Sequence, residues 1–175
     1  MESFETFWRI LCEAFPESEH RSREDHLALL ENPLYQLNYI REGERIVGFW
    51  TLWDLAPYAF MEHLALSALC RGKGYGTVVF EGLFKTLDRP LILEVERPDT
   101  ETAARRIAFY ERLGLHLNRY DYVQPPLQKG QPPVPMYLMS WPEPLTPEQF
   151  EEARQLLYTL AYAGLAEAWV ERADT

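Results

Sequence analysis

A short glycine-rich segment offers the clearest chemistry in the sequence. Residues 71–76 read Arg-Gly-Lys-Gly-Tyr-Gly and lie between two apolar stretches. Glycines have no Cβ atom, so the amides of such a segment can turn toward one point, and a helix that begins there adds the positive end of its dipole. Arg71 and Lys73 supply further positive charge. The segment therefore predicts a pyrophosphate-binding loop.

A pair of carboxylates follows in a second stretch. Glu94 and Glu96 alternate with Leu93 and Val95. Successive side chains of a β-strand point to opposite faces, so the two glutamates share the face that is not packed with apolar residues. We expect this face to look into a cleft or into water.

The surrounding sequence predicts alternating strands and helices that would position these residues. Apolar periodicity and turn residues predict strands at 34–41, 45–53, 60–66, 91–96, 115–123 and 136–141. Helical spacing predicts helices at 5–14, 23–30, 77–87 and 98–113, and a last helix after the cap residue Thr146. The order strand, loop, helix, strand around the glycine-rich segment indicates a βαβ unit.

The glycine spacing matches neither G-x-G-x-x-G nor G-x-x-x-x-G-K-[ST], which disfavours a Rossmann dinucleotide or nucleoside triphosphate site. It resembles instead the R/Q-x-x-G-x-G/A signature of the GNAT superfamily of acyl-CoA-dependent N-acyltransferases, with Arg71, Gly74 and Gly76 at the fixed positions. Residues 107–115, Ile-Ala-Phe-Tyr-Glu-Arg-Leu-Gly-Leu, are similar to the second motif of that family. The resemblance extends over roughly residues 36–141.

The resemblance implies a fold and a domain organisation. The expected fold is α/β (α+β), with a mixed, mostly antiparallel central sheet, a splayed pair of parallel strands and flanking helices. One domain would span residues 1–175, with variable helices at 1–33, an acyltransferase core at 34–141 and a C-terminal helix at 146–171.

The resemblance also implies a binding site for acetyl-CoA, used as a co-substrate without a metal. Strand amides would pair with the pantetheine arm, and loop amides would hold the pyrophosphate. The chain departs from the family at Ala103, where many relatives have an asparagine, and Arg105 or Arg106 could compensate. The residues expected to bind the cofactor are Leu64, Leu66, Ala68, Arg71, Gly72, Lys73, Gly74, Tyr75, Gly76 and Arg106.

The implied reaction is direct attack of a primary amine on the thioester. The amine must be neutral to attack, so a carboxylate or a water chain must accept its proton. We predict Glu62 as this base, with Glu94 and Glu96 as alternatives that would also bind the acceptor. Tyr110 matches the family's tyrosine that protonates the departing thiolate, and its ordinary pKa of about 10 keeps it protonated at neutral pH. His63 would point to the opposite face and play a structural part.

Composition limits the range of partners. The net charge of −10 opposes nucleic-acid binding and would attract a cationic, polyamine-like or peptide amine. No apolar run is long enough for a membrane span and the N-terminus lacks the pattern of a signal peptide, so we expect a soluble, cytoplasmic protein without a membrane partner. The chain could also form a homodimer. Two other functions stay open: a non-catalytic acyl-CoA sensor, and a protein-interaction module.

Overall fold

The computed structural model of the protein describes residues 2–166 and Trp169. Its centre is a six-stranded sheet in the order β1-β2-β3-β4-β6-β5, in which every neighbouring pair is antiparallel except β3 and β4. This mostly antiparallel sheet with one parallel pair confirms the predicted fold class. The strands are β1 (Tyr35–Glu42), β2 (Arg45–Asp54), β3 (Ala59–Leu66), β4 (Leu91–Glu96), β5 (His116–Gln124) and β6 (Val134–Trp141).

Helices cover both faces of the sheet. Short helical turns at Glu17–Glu19 and Ala68–Cys70 precede α2 and α3, respectively. The side chains of Ser22, Thr100 and Thr146 accept the backbone N–H three residues ahead and so cap α2, α4 and α5. The α-helices of the described chain are α1 (Glu2–Ala14), α2 (Arg23–Leu29), α3 (Tyr75–Thr86), α4 (Glu101–Arg112) and α5 (Pro147–Leu156).

The C-terminal segment differs from the single helix predicted for residues 146–171. Regular α-helix ends at Leu156, and a π-helical turn follows over Leu157–Ala161. The wider turn brings Tyr162 into the core with none of its surface exposed. Residues 167, 168, 170 and 171 of the predicted helix lie outside the described part of the chain.

Two apolar layers hold the sheet. On one side, α5 and the π-helical turn pack on strand residues such as Trp53, Phe60 and Leu138. On the other side, α3 and α4 pack on β3, β4 and β6, and a further cluster joins α1 to β2. The C-terminal helix α5 therefore covers one face of the sheet.

The parallel strands separate along their length. Cα pairing of β3 with β4 runs from Ala59 opposite Leu91 only to Met61 opposite Leu93, although each strand continues for several residues. A β-bulge lies at the point of separation, because two residues of β3, Glu62 and His63, stand opposite the single residue Thr51 of β2. The two strands therefore form the splayed pair that the family resemblance implied.

Candidate active site

A cavity of about 600 Å³ fills the gap between the separated strands. One end of it is formed by the glycine-rich loop and the beginning of α3. The other end is formed by carboxylates from the N-terminal segment and from β4. A long ligand with an anionic end and a reactive end near acidic groups fits this shape.

The loop end is built to bind an anion. Gly72 and Gly74 have φ angles of 75° and 85°, in the left-handed region that glycine adopts without steric cost. Helix α3 begins directly after Gly74, and the first turn closes with the Val78 N–H donating to the Gly74 carbonyl at 3.2 Å. The N–H groups of the first turn, from Tyr75 to Thr77, have no acceptor within the helix and can hold phosphate oxygens.

The edge of β3 offers backbone hydrogen bonds along the cavity. The Ser67 N–H donates to the Val47 carbonyl of β2 at 2.8 Å. Alternate residues of a strand direct their backbone groups to the same side, so those of Leu64 and Leu66 point away from β2 toward the gap. Consistent with this, the Leu66 carbonyl accepts a hydrogen bond from Arg71 Nε at 3.3 Å. The open edge suits the amides of a pantetheine arm.

Most of the residues predicted to bind the cofactor line the cavity, but some do not. Arg71, Gly72, Gly74, Gly76, Leu64, Leu66 and Arg106 line the cavity. Ala68 and Lys73 are exposed and do not belong to the lining in the described chain. The Tyr75 hydroxyl donates to Glu42 on the β1–β2 hairpin at 2.7 Å, so its side chain is directed toward the hairpin rather than into the cavity.

Glu62 forms a buried ion pair with Arg21. Its side chain is only 1% exposed and accepts hydrogen bonds from Arg21, itself buried, and from Trp53 Nε1 at 3.0 Å. Burial alone would raise the pKa of Glu62, but the charge of Arg21 and the smaller effects of neighbouring groups, among them the Trp53 hydrogen bond, together outweigh burial and lower the pKa. A carboxylate in this state is a poor proton acceptor, and this contact opposes the role of base that the sequence suggested.

Glu94 differs from Glu62 in its contacts and in the direction of its pKa shift. It lines the cavity and accepts hydrogen bonds from the hydroxyls of Tyr122 and Tyr162 and from Gln124 Nε2, the last at 2.6 Å. Burial raises the pKa of Glu94 to about 7 despite these donors, with the negative charge of Glu62 adding to the effect. A group with this pKa can accept and release a proton at neutral pH.

Glu19 and Glu96 are two further acidic residues that lie close together in the same cavity. Their carboxyl groups lie within hydrogen-bond reach, and Arg106 Nη1 is 3.4 Å from Glu96 Oε1. Burial, followed by the charge of Glu96, raises the pKa of Glu19 to about 7, while Arg106 opposes the rise. Glu94 and Glu96 both face the cavity, which confirms that they share the strand face predicted for them.

Tyr110 lies in the cavity wall on α4. Its ring packs edge-on against Phe80 at a centroid distance of 5.6 Å, which fixes its position. Burial raises the pKa of Tyr110, with Arg106 opposing the rise, so the hydroxyl stays protonated at neutral pH. His63 is buried and its Nε2 lies 2.9 Å from the Glu19 carbonyl, a structural contact.

Sequence reasoning missed several polar residues of the site, among them Glu19, Thr77, Tyr122, Gln124 and Tyr162. Alternation could have drawn attention to Tyr122 and Gln124, which share one face of β5. Thr77 begins the predicted helix at 77–87 and is the third residue of α3, where a hydroxyl can face a bound anion. Glu19 and Tyr162 lie in irregular segments, and no local pattern marks them.

Comparison with known proteins agrees with the geometry. The model of the Acetyltransferase (GNAT) family matches residues 4–115. The chain belongs to the GNAT family of acetyltransferases. A search of curated protein sequences found no match to this GNAT protein.

Solved structures extend the likeness to the whole fold. A candidate GNAT acetyltransferase from Bacteroides thetaiotaomicron is 36% identical, with a TM-score of 0.85 and 93% of each chain covered. The ribosomal-protein-S18-alanine N-acetyltransferase from Escherichia coli is 20% identical, with a TM-score of 0.54 over 77% of this chain and 83% of that one. An aminoglycoside 6′-N-acetyltransferase complexed with coenzyme A is 17% identical, with a TM-score of 0.55 over 81% and 93%. The last two share the fold alone.

No helix in the described residues is both long and apolar enough to span a bilayer.

Proposed function

We propose that this protein transfers an acetyl group from acetyl-CoA to a primary amine. The observation that carries the proposal is a single cavity with an anion-binding helix terminus at one end and Glu94 at the other. The E. coli S18-alanine acetyltransferase and the aminoglycoside acetyltransferase transfer to amines, and the latter structure contains coenzyme A. These likenesses support the reaction class.

The donor half of the cavity would bind acetyl-CoA. The N–H groups at the beginning of α3, with Arg71 nearby, would hold the pyrophosphate, and the free edge at Leu64 and Leu66 would pair with the pantetheine amides. Gly76 lines the same half of the cavity. Arg106 lies at the acidic end of the cavity, where it forms an ion pair with Glu96.

The acceptor half would carry the proton transfers. The neutral amine forms a C–N bond with the thioester carbonyl carbon, and Glu94 accepts the proton that the amine nitrogen loses. As the C–S bond breaks, Tyr110 donates its proton to the thiolate. This assignment replaces Glu62 with Glu94, because Glu62 is held by Arg21 with a lowered pKa whereas Glu94 titrates near neutrality. Glu62 then serves to fix the architecture around the base.

Calorimetric titration with acetyl-CoA, with NADH and ATP as controls, tests the donor assignment. We expect micromolar binding of acetyl-CoA and none of either control. Release of coenzyme A thiol in the presence of amines then tests transfer. Folded protein that binds no acetyl-CoA would refute the proposal, and binding without thiol release for any amine would leave an acyl-CoA sensor as the function.

A further inference from the structure

An unsatisfied amide oxygen lies beside the proposed base. Gln124 is 4% exposed, and its Nε2 donates to Glu94 Oε2 at 2.6 Å. Its Oε1 is buried and has no hydrogen-bond partner among the described residues, although Gln124 lines the cavity. A buried acceptor without a partner costs free energy comparable to a lost hydrogen bond, so such a group calls for a donor.

Glu94 has room for one more donor. An ionised carboxylate offers about four lone-pair sites. Three are used by Tyr122, Tyr162 and Gln124, and two of these donors share Oε1. The remaining site is on Oε2, the oxygen next to the Gln124 amide. One acceptor on Glu94 and one on Gln124 thus lie side by side.

A neutral primary amine matches these two acceptors. It carries two N–H groups, and its lone pair stays free for attack when both are donated. A dialkyl secondary amine has a single N–H and would leave Gln124 Oε1 unsatisfied. Sites that bind a substrate N–H strongly discriminate against analogues that lack it, since their own buried polar groups then stay unpaired.

The Glu19–Glu96 pair adds a second requirement. Two carboxyl groups lie close together at one end of the cavity, and Arg106 forms an ion pair with Glu96 there. Two like charges so close cannot both ionise without a cation between them. A positive group on the acceptor, placed away from the reacting nitrogen, would pair with both carboxyl groups.

We infer that the acceptor is a primary amine carrying a second cationic group: Glu94 and Gln124 bind the reacting nitrogen, and Glu19 and Glu96 bind the distant cation. This inference rests on the proposed function for the identity of the reacting nitrogen. It goes further by naming the substrate class and by giving Gln124 the part of a binding residue.

Calorimetry on protein saturated with coenzyme A tests the inference without requiring turnover. The probes are diaminopropane, diaminobutane and diaminopentane, the corresponding monoamines, and N,N′-dimethyl derivatives of the diamines. We expect the best diamine to bind roughly ten- to a hundred-fold tighter than its monoamine, the effect of a charge-assisted contact. We expect the dimethyl derivative to bind at least about tenfold more weakly than the parent diamine, by the same reasoning.

Substitutions test which residues bind the distant cation and which bind the reacting nitrogen. The double variant Glu19→Gln, Glu96→Gln should bring the ratio of diamine to monoamine affinity close to one, while the exposed variant Glu111→Gln should leave that ratio as in the wild type. Gln124→Leu should remove the preference for the primary over the dimethylated diamine. If Gln124→Leu fails to fold, the primary and dimethylated probes on the wild type still decide the role of this amide.

The outcomes separate this inference from the proposed function. Equal affinity for diamines and monoamines, or for primary and dimethylated diamines, would overturn the inference even if thiol release shows acetyl transfer. Preferential binding of primary diamines without thiol release would support the inference and refute the transferase proposal.

Discussion

Replacing Glu94 with glutamine would remove one buried charge while keeping the shape of the side chain. The amide oxygen of the new residue can still accept from Tyr122 and Tyr162. Its NH2 group would face Gln124, whose amide can turn to present the oxygen that is unpartnered in the wild type. The substitution therefore keeps three hydrogen bonds at position 94, with the Gln124 NH2 group taking the place of its unpartnered oxygen, and its effect on stability should come mainly from the charge.

The size of that effect follows from the pKa. A rise from the ordinary value of 4.5 to about 7 corresponds to about 3 kcal/mol at 1.36 kcal/mol per unit, and water in the cavity would reduce this to about 2 kcal/mol. The folded-state pKa is raised, so the wild type loses stability as the pH rises from about 4.5 to about 7. Glu94→Gln should not lose this stability. The difference in unfolding free energy between the variant and the wild type should therefore be largest above pH 7.

Urea unfolding at a series of pH values measures this difference. We expect the unfolding free energy of Glu94→Gln, relative to wild type, to increase by about 2 kcal/mol between the acidic and alkaline ends of the series. Thiol release should fall by about 10²–10⁴-fold, the usual contribution of a general base. The wild-type pH profile should also show a limb near 7 that the variant lacks.

A stability difference that does not change with pH would refute the raised pKa of Glu94. Full activity of Glu94→Gln would refute its role as base and return attention to Glu62 or to water. Glu111→Gln, an exposed glutamate substitution, controls for a general effect of removing a negative charge.

Three further substitutions test other parts of the site. Tyr110→Phe should lower kcat while the Kd for acetyl-CoA stays the same, because the hydroxyl would act on the departing thiolate; calorimetry and thiol release measure the two. Gly74→Ala should weaken acetyl-CoA binding and cost roughly 1–2 kcal/mol in urea unfolding, because its φ of 85° is left-handed. Arg21→Leu should destabilise the fold by about 3–5 kcal/mol by leaving Glu62 buried without its partner, and the double variant with Glu62→Leu should recover much of that loss.

For each of these substitutions, a different result would contradict the role proposed for the residue. Unchanged turnover of Tyr110→Phe across the pH range would remove this residue from the mechanism. Wild-type affinity for acetyl-CoA in Gly74→Ala would place the pyrophosphate elsewhere. A double variant no more stable than Arg21→Leu would mean that the loss comes from packing of the arginine on Trp53 and Tyr162 rather than from the unpaired carboxylate.

Local patterns predicted the elements of the fold well. The predicted strand at 91–96 has the observed bounds of β4, and the cap at Thr146 is observed with Gln149 completing a capping box. Periodicity and capping depend on neighbours in the sequence, so the sequence displays them directly. The loop around Gly74 was predictable for the same reason, because its conformation is a property of six consecutive residues.

The acceptor half of the site was less predictable because its contacts join distant segments. Glu94 meets Tyr122, Gln124 and Tyr162, which follow it by 28, 30 and 68 residues. Whether Glu62 or Glu94 has the pKa of a base depends on which of them Arg21 contacts, and the irregular segment around Arg21 has no periodic signal. The π-helical turn that carries Tyr162 inward was likewise not foreseeable from the amphipathic pattern of α5.

The family match ends at residue 115, and the three side chains that donate hydrogen bonds to Glu94 lie beyond it. The loop, the edge of β3 and Tyr110 precede it, whereas Tyr122, Gln124 and Tyr162 follow it. Residues 116–166 could therefore be exchanged for the corresponding segment of a relative to alter which amine is accepted, while the acyl donor stays the same. Such chimeras would need to preserve the bond between Arg21 and the Ala161 carbonyl, since it ties the exchanged segment to the retained part of the chain.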